Sequence, residues 1–154
     1  MELIIEKAIT HDIPELVKLE KACFQSDQLS VTHFRHLLSK ANALVLVAKF
    51  ENKIVGCAIV LFRKHSSSAR LYSIAIHPDY HKKGFAKTLL EHSERAAHTN
   101  HCNQITLEVR KDNIAAITFY KKFGYEIFGE YQDYYFDGED ALRLRKTLHK
   151  RSQP

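Results

Sequence analysis

The chain holds only three cysteines among 154 residues, Cys23, Cys57 and Cys102, and no two are neighbours in sequence. So odd and sparse a set does not make a disulfide framework. It points to a reducing compartment, with a cytoplasmic location as the expectation. Long apolar runs are missing too: Ala43 to Ala48 and Ile54 to Phe62 fall far short of a bilayer span, so no membrane partner is expected. Glu2 stands early, and no basic stretch leads into a long apolar run, which speaks against a signal peptide. Neither G-x-x-x-x-G-K-[ST] nor G-x-G-x-x-G occurs, which excludes two familiar phosphate-binding turns. There is no H-E-x-x-H among the ten histidines. The close pairs His77/His81 and His33/His36 fall in a loop and on an exposed helix face, so no metal is expected.

What is present is ordinary for a folded domain: 45% hydrophobic and 27% charged residues, with a net charge of +5 that favours an anionic ligand or partner. With no repeat, linker or composition break, residues 1–148 read as a single domain and 149–154 as a short basic tail. Glu2 to Ile9 has strand character. Asp12 with Glu15 makes a capping-box signature, with Pro14 in the first turn and Leu16, Leu19 and Cys23 on one helical face. Ser30 caps a second helix that buries Val31, Phe34 and Leu38.

The period then changes to that of strands. Ala43 to Phe50, a turn at Glu51-Asn52-Lys53, and Ile54 to Lys64 read as a hairpin; Arg70 to Ile76 is a further strand ended by Pro78. A helix from about Lys82 to Thr99 carries Phe85, Leu89, Ser93 and Ala96 along one stripe. Gln104 to Arg110 alternates, with Ile105, Leu107 and Val109 on one face and Thr106, Glu108 and Arg110 on the other. Asn113 caps a helix to Phe123, with Gly124 as its C′ residue. Strands near Tyr125 to Tyr131 and Ala141 to Thr147 follow. The expected fold is α/β: a mixed, mostly antiparallel sheet in the order βααβββαβαββ, with helices on both faces.

The chemistry concentrates at Lys82-Lys83-Gly84-Phe85-Ala86-Lys87. The first N–H groups of a helix lack partners and carry the positive end of its dipole, so a phosphate fits there if small residues let it approach. Gly84 and Ala86 are small, and Lys82, Lys83 and Lys87 add counter-charge. Taken alone, the stretch is equally an exposed basic turn.

Tyr72-Ser73-Ile74-Ala75-Ile76-His77-Pro78-Asp79-Tyr80, followed by His81-Lys82-Lys83-Gly84-Phe85-Ala86, resembles motif A of the GCN5-related N-acetyltransferase (GNAT) superfamily. That motif ends in [QR]-x-x-G-x-[GA], and His81 stands where the family usually has Gln or Arg. Asn113-Ile114-Ala115-Ala116-Ile117-Thr118-Phe119-Tyr120-Lys121-Lys122-Phe123-Gly124-Tyr125 is similar to motif B. The resemblance covers nearly the whole chain. It implies acetyl-CoA as cosubstrate, its pyrophosphate on the backbone amides of the turn, and direct attack of an amine on the thioester. Cofactor-binding positions would be Ile74, Ala75, Ile76, Lys82, Lys83, Gly84, Phe85, Ala86, Lys87 and Asn113. The strand Ile74-Ala75-Ile76 would supply the oxyanion donor from its backbone.

Such a reaction needs a base, because an α-ammonium of pKa roughly 8 is mostly unreactive at neutral pH. Leu107-Glu108-Val109-Arg110 resembles the Leu-Glu-Val-Arg of the RimI-type branch, which implies Glu108 as proton acceptor; by itself it reads as a surface carboxylate. Tyr120 matches the family's general-acid tyrosine, though it shares a helical face with Ala116, Phe119 and Phe123 and reads equally as core. A nucleophilic cysteine is not expected, since Cys23 and Cys57 lie in apolar periodic contexts.

Tyr134-Tyr135-Phe136-Asp137-Gly138-Glu139-Asp140-Ala141 looks like the Y-Y-x-D-G-E-D-A segment of protein N-terminal acetyltransferases. This implies that Tyr134 and Tyr135 line a site for a peptide or protein N-terminus, with a ribosomal protein beginning in alanine as the analogy. Asp137-Gly138 is also a good hairpin turn. A small amine (polyamine, amino acid or drug) remains the alternative acceptor, and an acyl-CoA-binding regulator without turnover is a second. Nucleic acid is not the expected partner: Arg143, Arg145, Lys146, Lys150 and Arg151 read as a strand's solvent face and a tail. A monomer or homodimer is expected.

Overall fold

The structure is a computed structural model that describes residues 2–149. Its elements are β1 (Ile4–Lys7), α1 (Ile13–Cys23), α2 (Val31–Ser39), β2 (Ala43–Phe50), β3 (Lys53–Phe62), β4 (Ser68–Ile76), α3 (Phe85–Thr99), β5 (Gln104–Arg110), α4 (Ile114–Lys122), β6 (Glu126–Tyr131) and β7 (Ala141–Thr147). This is the expected order. Seven strands form one sheet, β1-β2-β3-β4-β5-β7-β6, antiparallel except between β4 and β5. The predicted tail lies outside the described residues apart from His149, and so do Lys150 and Arg151.

Strand alternation divides the core into two layers. On one face Ile13, Leu16, Leu19 and Phe34 of the first two helices pack on Val45, Val47, Cys57 and Ile59. On the other, Leu89, Leu90 and Ala97 of α3 meet Leu46, Ala58, Val60, Ile105 and Leu107. The β2–β3 connection tightens to two residues, because Phe50 already pairs with Lys53. Glu51 and Asn52 take the positive φ values, 52° and 66°, that match the twist of a hairpin.

Four expectations need correction. Asp12 and Glu15 form no capping box: Asp12 folds back to accept from the Ile9 N–H at 2.9 Å, closing a 3-10 turn, and Glu15 accepts from the Ile54 N–H of β3 at 3.3 Å. Val31 is exposed, and Phe34 is the residue of α2 that the core takes up completely. The deepest positions of α3 are Leu89, Leu90, Ser93 and Ala97 instead of a stripe ending at Ala96. Finally, α3 starts at Phe85 and not near Lys82, because Lys82 (φ 64°) and Gly84 (φ 79°) are left-handed and cannot continue a helix.

One irregularity positions the site. β4 and β5 pair only from Ser68↔Gln104 to Arg70↔Thr106. Just beyond, the β3–β4 register passes from Val60↔Leu71 to Ile59↔Ser73, leaving Tyr72 as an extra residue. A bulge bends and twists its strand, so the far half of β4 swings away from β5 and a wedge opens between them.

Candidate active site

The wedge exposes one edge of β4. The His77 N–H donates to the Val55 carbonyl at 2.8 Å, and Ala75 is in register with Cys57. Antiparallel alternation therefore turns Ala75 towards β3 and aims the N–H groups of Ile74 and Ile76 into the wedge. Consistent with this, the Ile76 carbonyl leaves β3 alone and accepts from His81 Nε2 at 2.7 Å and Cys23 Sγ at 3.5 Å. The His81 ring must then carry its proton on Nε2. Of the three strand residues marked in sequence, Ile74 and Ile76 have amides available to a ligand and Ala75 does not.

At the open end of β4 the chain turns through residues 77–84 into α3. Gly84 is the N-cap, with no side-chain hydrogen bond capping the helix. The N–H groups of Phe85, Ala86 and Lys87 have no acceptor among the described residues, as the geometry of a helix start requires. A Cβ built on Gly84 would meet nothing within 4 Å, so the space beside the helix start at Gly84 is open. The residues present thus fit a pyrophosphate: orphan donors, the positive end of the helix dipole and open space at Gly84. Phe85 itself is taken up by aromatic packing, 5.2 Å from Phe50 and 6.3 Å from Tyr80 between ring centres, and this fixes the first turn. Lys82 and Lys83 are exposed, while Lys87 lies 5.7 Å over the Phe123 ring and reaches across to α4.

Glu108 projects from the opposite side of β5, where alternation buries Ile105, Leu107 and Val109 and leaves Thr106, Glu108 and Arg110 half-covered. Its carboxylate is not a free surface group: the side chain is 10% exposed, and Oε1 accepts from Arg70 Nε at 2.8 Å with Nη2 at 2.7 Å. The same Nη2 donates to the Tyr134 hydroxyl at 2.9 Å. Oε2 has no hydrogen-bond partner among the described residues. Arg70 is the site residue that sequence reading passed over. Its place at the last β4–β5 pair, where the wedge opens, comes from a bulge that no periodicity announces.

Tyr120 lies on α4 on the other side of β5, its ring 5.3 Å from Phe119 and 5.4 Å from Tyr125. It is buried, and burial, with a smaller contribution from Tyr135, raises its pKa above the ordinary phenol value. Its hydroxyl makes no hydrogen bond among the described residues. The ring is therefore core, and its surroundings keep the proton on oxygen. Asn113 caps α4, its Oδ1 accepting from the Ala116 N–H at 3.1 Å, which leaves the amide nitrogen outward. Gly124 ends the helix at φ 98° as expected.

The β6–β7 loop closes over the Glu108 face. Tyr131 stacks on Tyr134 at 5.4 Å, and Tyr134 meets Tyr135 edge-on at 5.0 Å. Burial, with help from Tyr134, pushes the Tyr135 phenol up to about 12. Arg110 lies 5.1 Å from the Tyr135 ring and is paired with Asp137 at 2.7 Å, so the Asp137-Gly138 turn is tied to β5. Phe136, by contrast, is 94% exposed at the loop's tip. None of the cysteines is poised to react: burial raises Cys23 to about 11 and also raises Cys57 and Cys102.

The chain matches the profile of the Acetyltransferase (GNAT) family over residues 12–125. A Bacillus subtilis (strain 168) protein, provisionally named a [ribosomal protein bS18]-alanine N-acetyltransferase, is 30% identical over 141 residues, covering 90% of this chain and 91% of that one. An N-alpha-acetyltransferase of Saccharolobus solfataricus is 27% identical over 158 residues, with 96% and 94% coverage. Among solved structures, the ribosomal-protein-S18-alanine N-acetyltransferase from Escherichia coli superposes with a TM-score of 0.85 at 26% identity, covering 99% of this chain and 97% of that chain.

Proposed function

Since this chain belongs to the GNAT family of acetyltransferases, we propose that it transfers an acetyl group from acetyl-CoA to the N-terminal α-amine of a peptide or protein, with residues 1–148 acting as one domain. The observation that carries the acceptor assignment is the Tyr134–Arg70–Glu108 chain of hydrogen bonds. It ties the tyrosine loop to a carboxylate beside the wedge and holds both in one geometry. The names of the Bacillus, Saccharolobus and Escherichia relatives support the same reading.

The thioester is supplied by the cosubstrate, and the chain's own groups do the rest. The N–H groups of Phe85, Ala86 and Lys87 hold the pyrophosphate, with Lys82 and Lys83 as outlying counter-charge. The amides of Ile74 and Ile76, pointing into the wedge, donate to the carbonyl oxygen as it gains charge. Arg70 fixes the Glu108 carboxylate by one oxygen and leaves Oε2 to take the proton of the entering ammonium. Tyr120, kept protonated by its surroundings, donates to the departing thiolate. Asn113 contacts the coenzyme through its free amide nitrogen, and Tyr134 and Tyr135 flank the peptide's first residues.

The test is an assay of free thiol release with peptides and small amines side by side. Turnover of alanine- or serine-starting peptides is the expected result. Turnover of polyamines, amino acids or drugs with those peptides untouched would replace the reading with a small-molecule one. Tight coenzyme binding with no acceptor turned over would make the protein a regulator.

A further inference from the structure

The face around Glu108 is rich in arginine, and its charges are matched unevenly. Arg70 pairs with Glu108, Arg110 with Asp112 and Asp137, and Arg145 with Glu126. Arg143 has no acidic partner among the described residues. Its Nε is buried and makes no hydrogen bond, and it is the one such side-chain atom among those residues. Packing closes Nε off, so the two Nη groups, which make no hydrogen bond among the described residues and are not closed off, are the ones an acceptor can reach.

The packing shows that the guanidinium is deliberately placed. Its centre lies 4.5 Å from the Phe128 ring and 4.5 Å from the Tyr131 ring, held between two aromatic faces. Arg143 is also in direct register with Glu108 across the β5–β7 ladder, so both side chains leave the same face, with Cβ atoms about 5 Å apart. A closed circuit of contacts surrounds this face. Glu108 binds Arg70, Arg70 binds Tyr134, Tyr134 stacks on Tyr131, Tyr131 covers Arg143, and the ladder returns to Glu108.

We infer that Arg143 is a specificity residue that binds a carboxylate on the acceptor while the acceptor's amine lies at Glu108. This rests on the peptide reading above. One peptide residue advances about 3.5 Å, so the carboxylate would sit on the second or third residue's side chain. The peptides favoured by this enzyme are therefore acidic just after the first residue. Arginine suits the task because its planar fork binds a carboxylate through two parallel hydrogen bonds while its faces stay stacked.

The experiment compares kcat/KM for peptides that start Ala-Glu or Ala-Ala-Glu with the same peptides carrying Gln in place of Glu. For the parent enzyme the acidic peptides should be favoured about tenfold, mainly through KM, as suits one charge-assisted contact. Arg143→Gln should bring the ratio close to one, and Arg143→Lys, which keeps the charge but not the fork, should restore part of it. Coenzyme titration of each variant establishes that it is folded. Equal use of Glu and Gln peptides by the parent, or a preference that survives Arg143→Gln, overturns the assignment. If no peptide is acetylated at all, the peptide reading fails first. Free amino acids against their amides, in parent and Arg143→Gln, then decide whether Arg143 binds a carboxylate. A preference for the acids lost in the variant upholds it; no preference defeats it.

Discussion

Glu108 and Tyr120 stand on opposite sides of β5, and the tasks proposed for them are opposite: one takes a proton and the other gives one. Replacing Glu108 with Gln keeps the Arg70 contact but removes the proton acceptor. Turnover should fall about a hundredfold while coenzyme affinity stays near the parent's; equal rates in both proteins would remove Glu108 from the mechanism. For Tyr120 the sign of the shift decides the pH behaviour. Burial raises its pKa, so the acid form persists to higher pH than an ordinary phenol's value of about 10. A pH profile of kcat should therefore show no alkaline fall from this group below about pH 10. Tyr120→Phe should lower kcat about tenfold or more without changing the shape of that limb. An alkaline limb below about pH 10 that vanishes in Tyr120→Phe would contradict the raised pKa, and an unchanged kcat in Tyr120→Phe would contradict the role as acid. The proposed base and acid could be picked out in the sequence only through the resemblance of their motifs, since by themselves Glu108 reads as surface and Tyr120 as core. Arg70 could not be, since its link to Glu108 spans 38 positions and depends on where two strands part company.

At the scale of elements, the proposed site is built from the wedge and the turn that follows it. Gly84 has a left-handed φ and open space around it. Gly84→Val should cost about 1 kcal/mol or somewhat more in folding, the price of that backbone conformation. It should damage coenzyme binding far more, and more than Lys83→Ala does. A titration with the opposite order would return the weight to the lysine side chains. Gly56 acts differently. A Cβ there would stand 2.6 Å from Ile76 Cδ1 and 3.1 Å from the Ala75 carbonyl. Gly56→Ala should then displace the end of β4 and lower stability by about 1–3 kcal/mol, read by denaturant unfolding. The strand and helix order was readable because β5 alternates in hydrophobicity while β2 and β3 are continuous apolar runs buried on both faces. The start of α3 was misread for a physical reason: Lys82 and Lys83 are good helix formers, and only the left-handed backbone at Lys82 and Gly84 delays the helix to Phe85.

Considered as a whole, the molecule reaches its wedge from two sides. The turn before α3 and Tyr120 lie on one face of the sheet, while Glu108, Arg143 and the tyrosine loop lie on the other. Two substrates can thus be bound together, and none of the three cysteines is suited to carry an acetyl group between them. Initial-rate kinetics should be sequential, with intersecting double-reciprocal lines and no burst of bound acetyl. Parallel lines, with acetyl found on a cysteine, would contradict direct transfer. The most direct test of the central claim uses one alanine-starting peptide that also contains a lysine, in two forms, with its α-amine free or blocked. Incubated with the protein and acetyl-CoA and read by mass spectrometry, the free form should gain one acetyl group on its α-amine and the blocked form none. Equal acetylation of the two forms, on the lysine, would contradict the account.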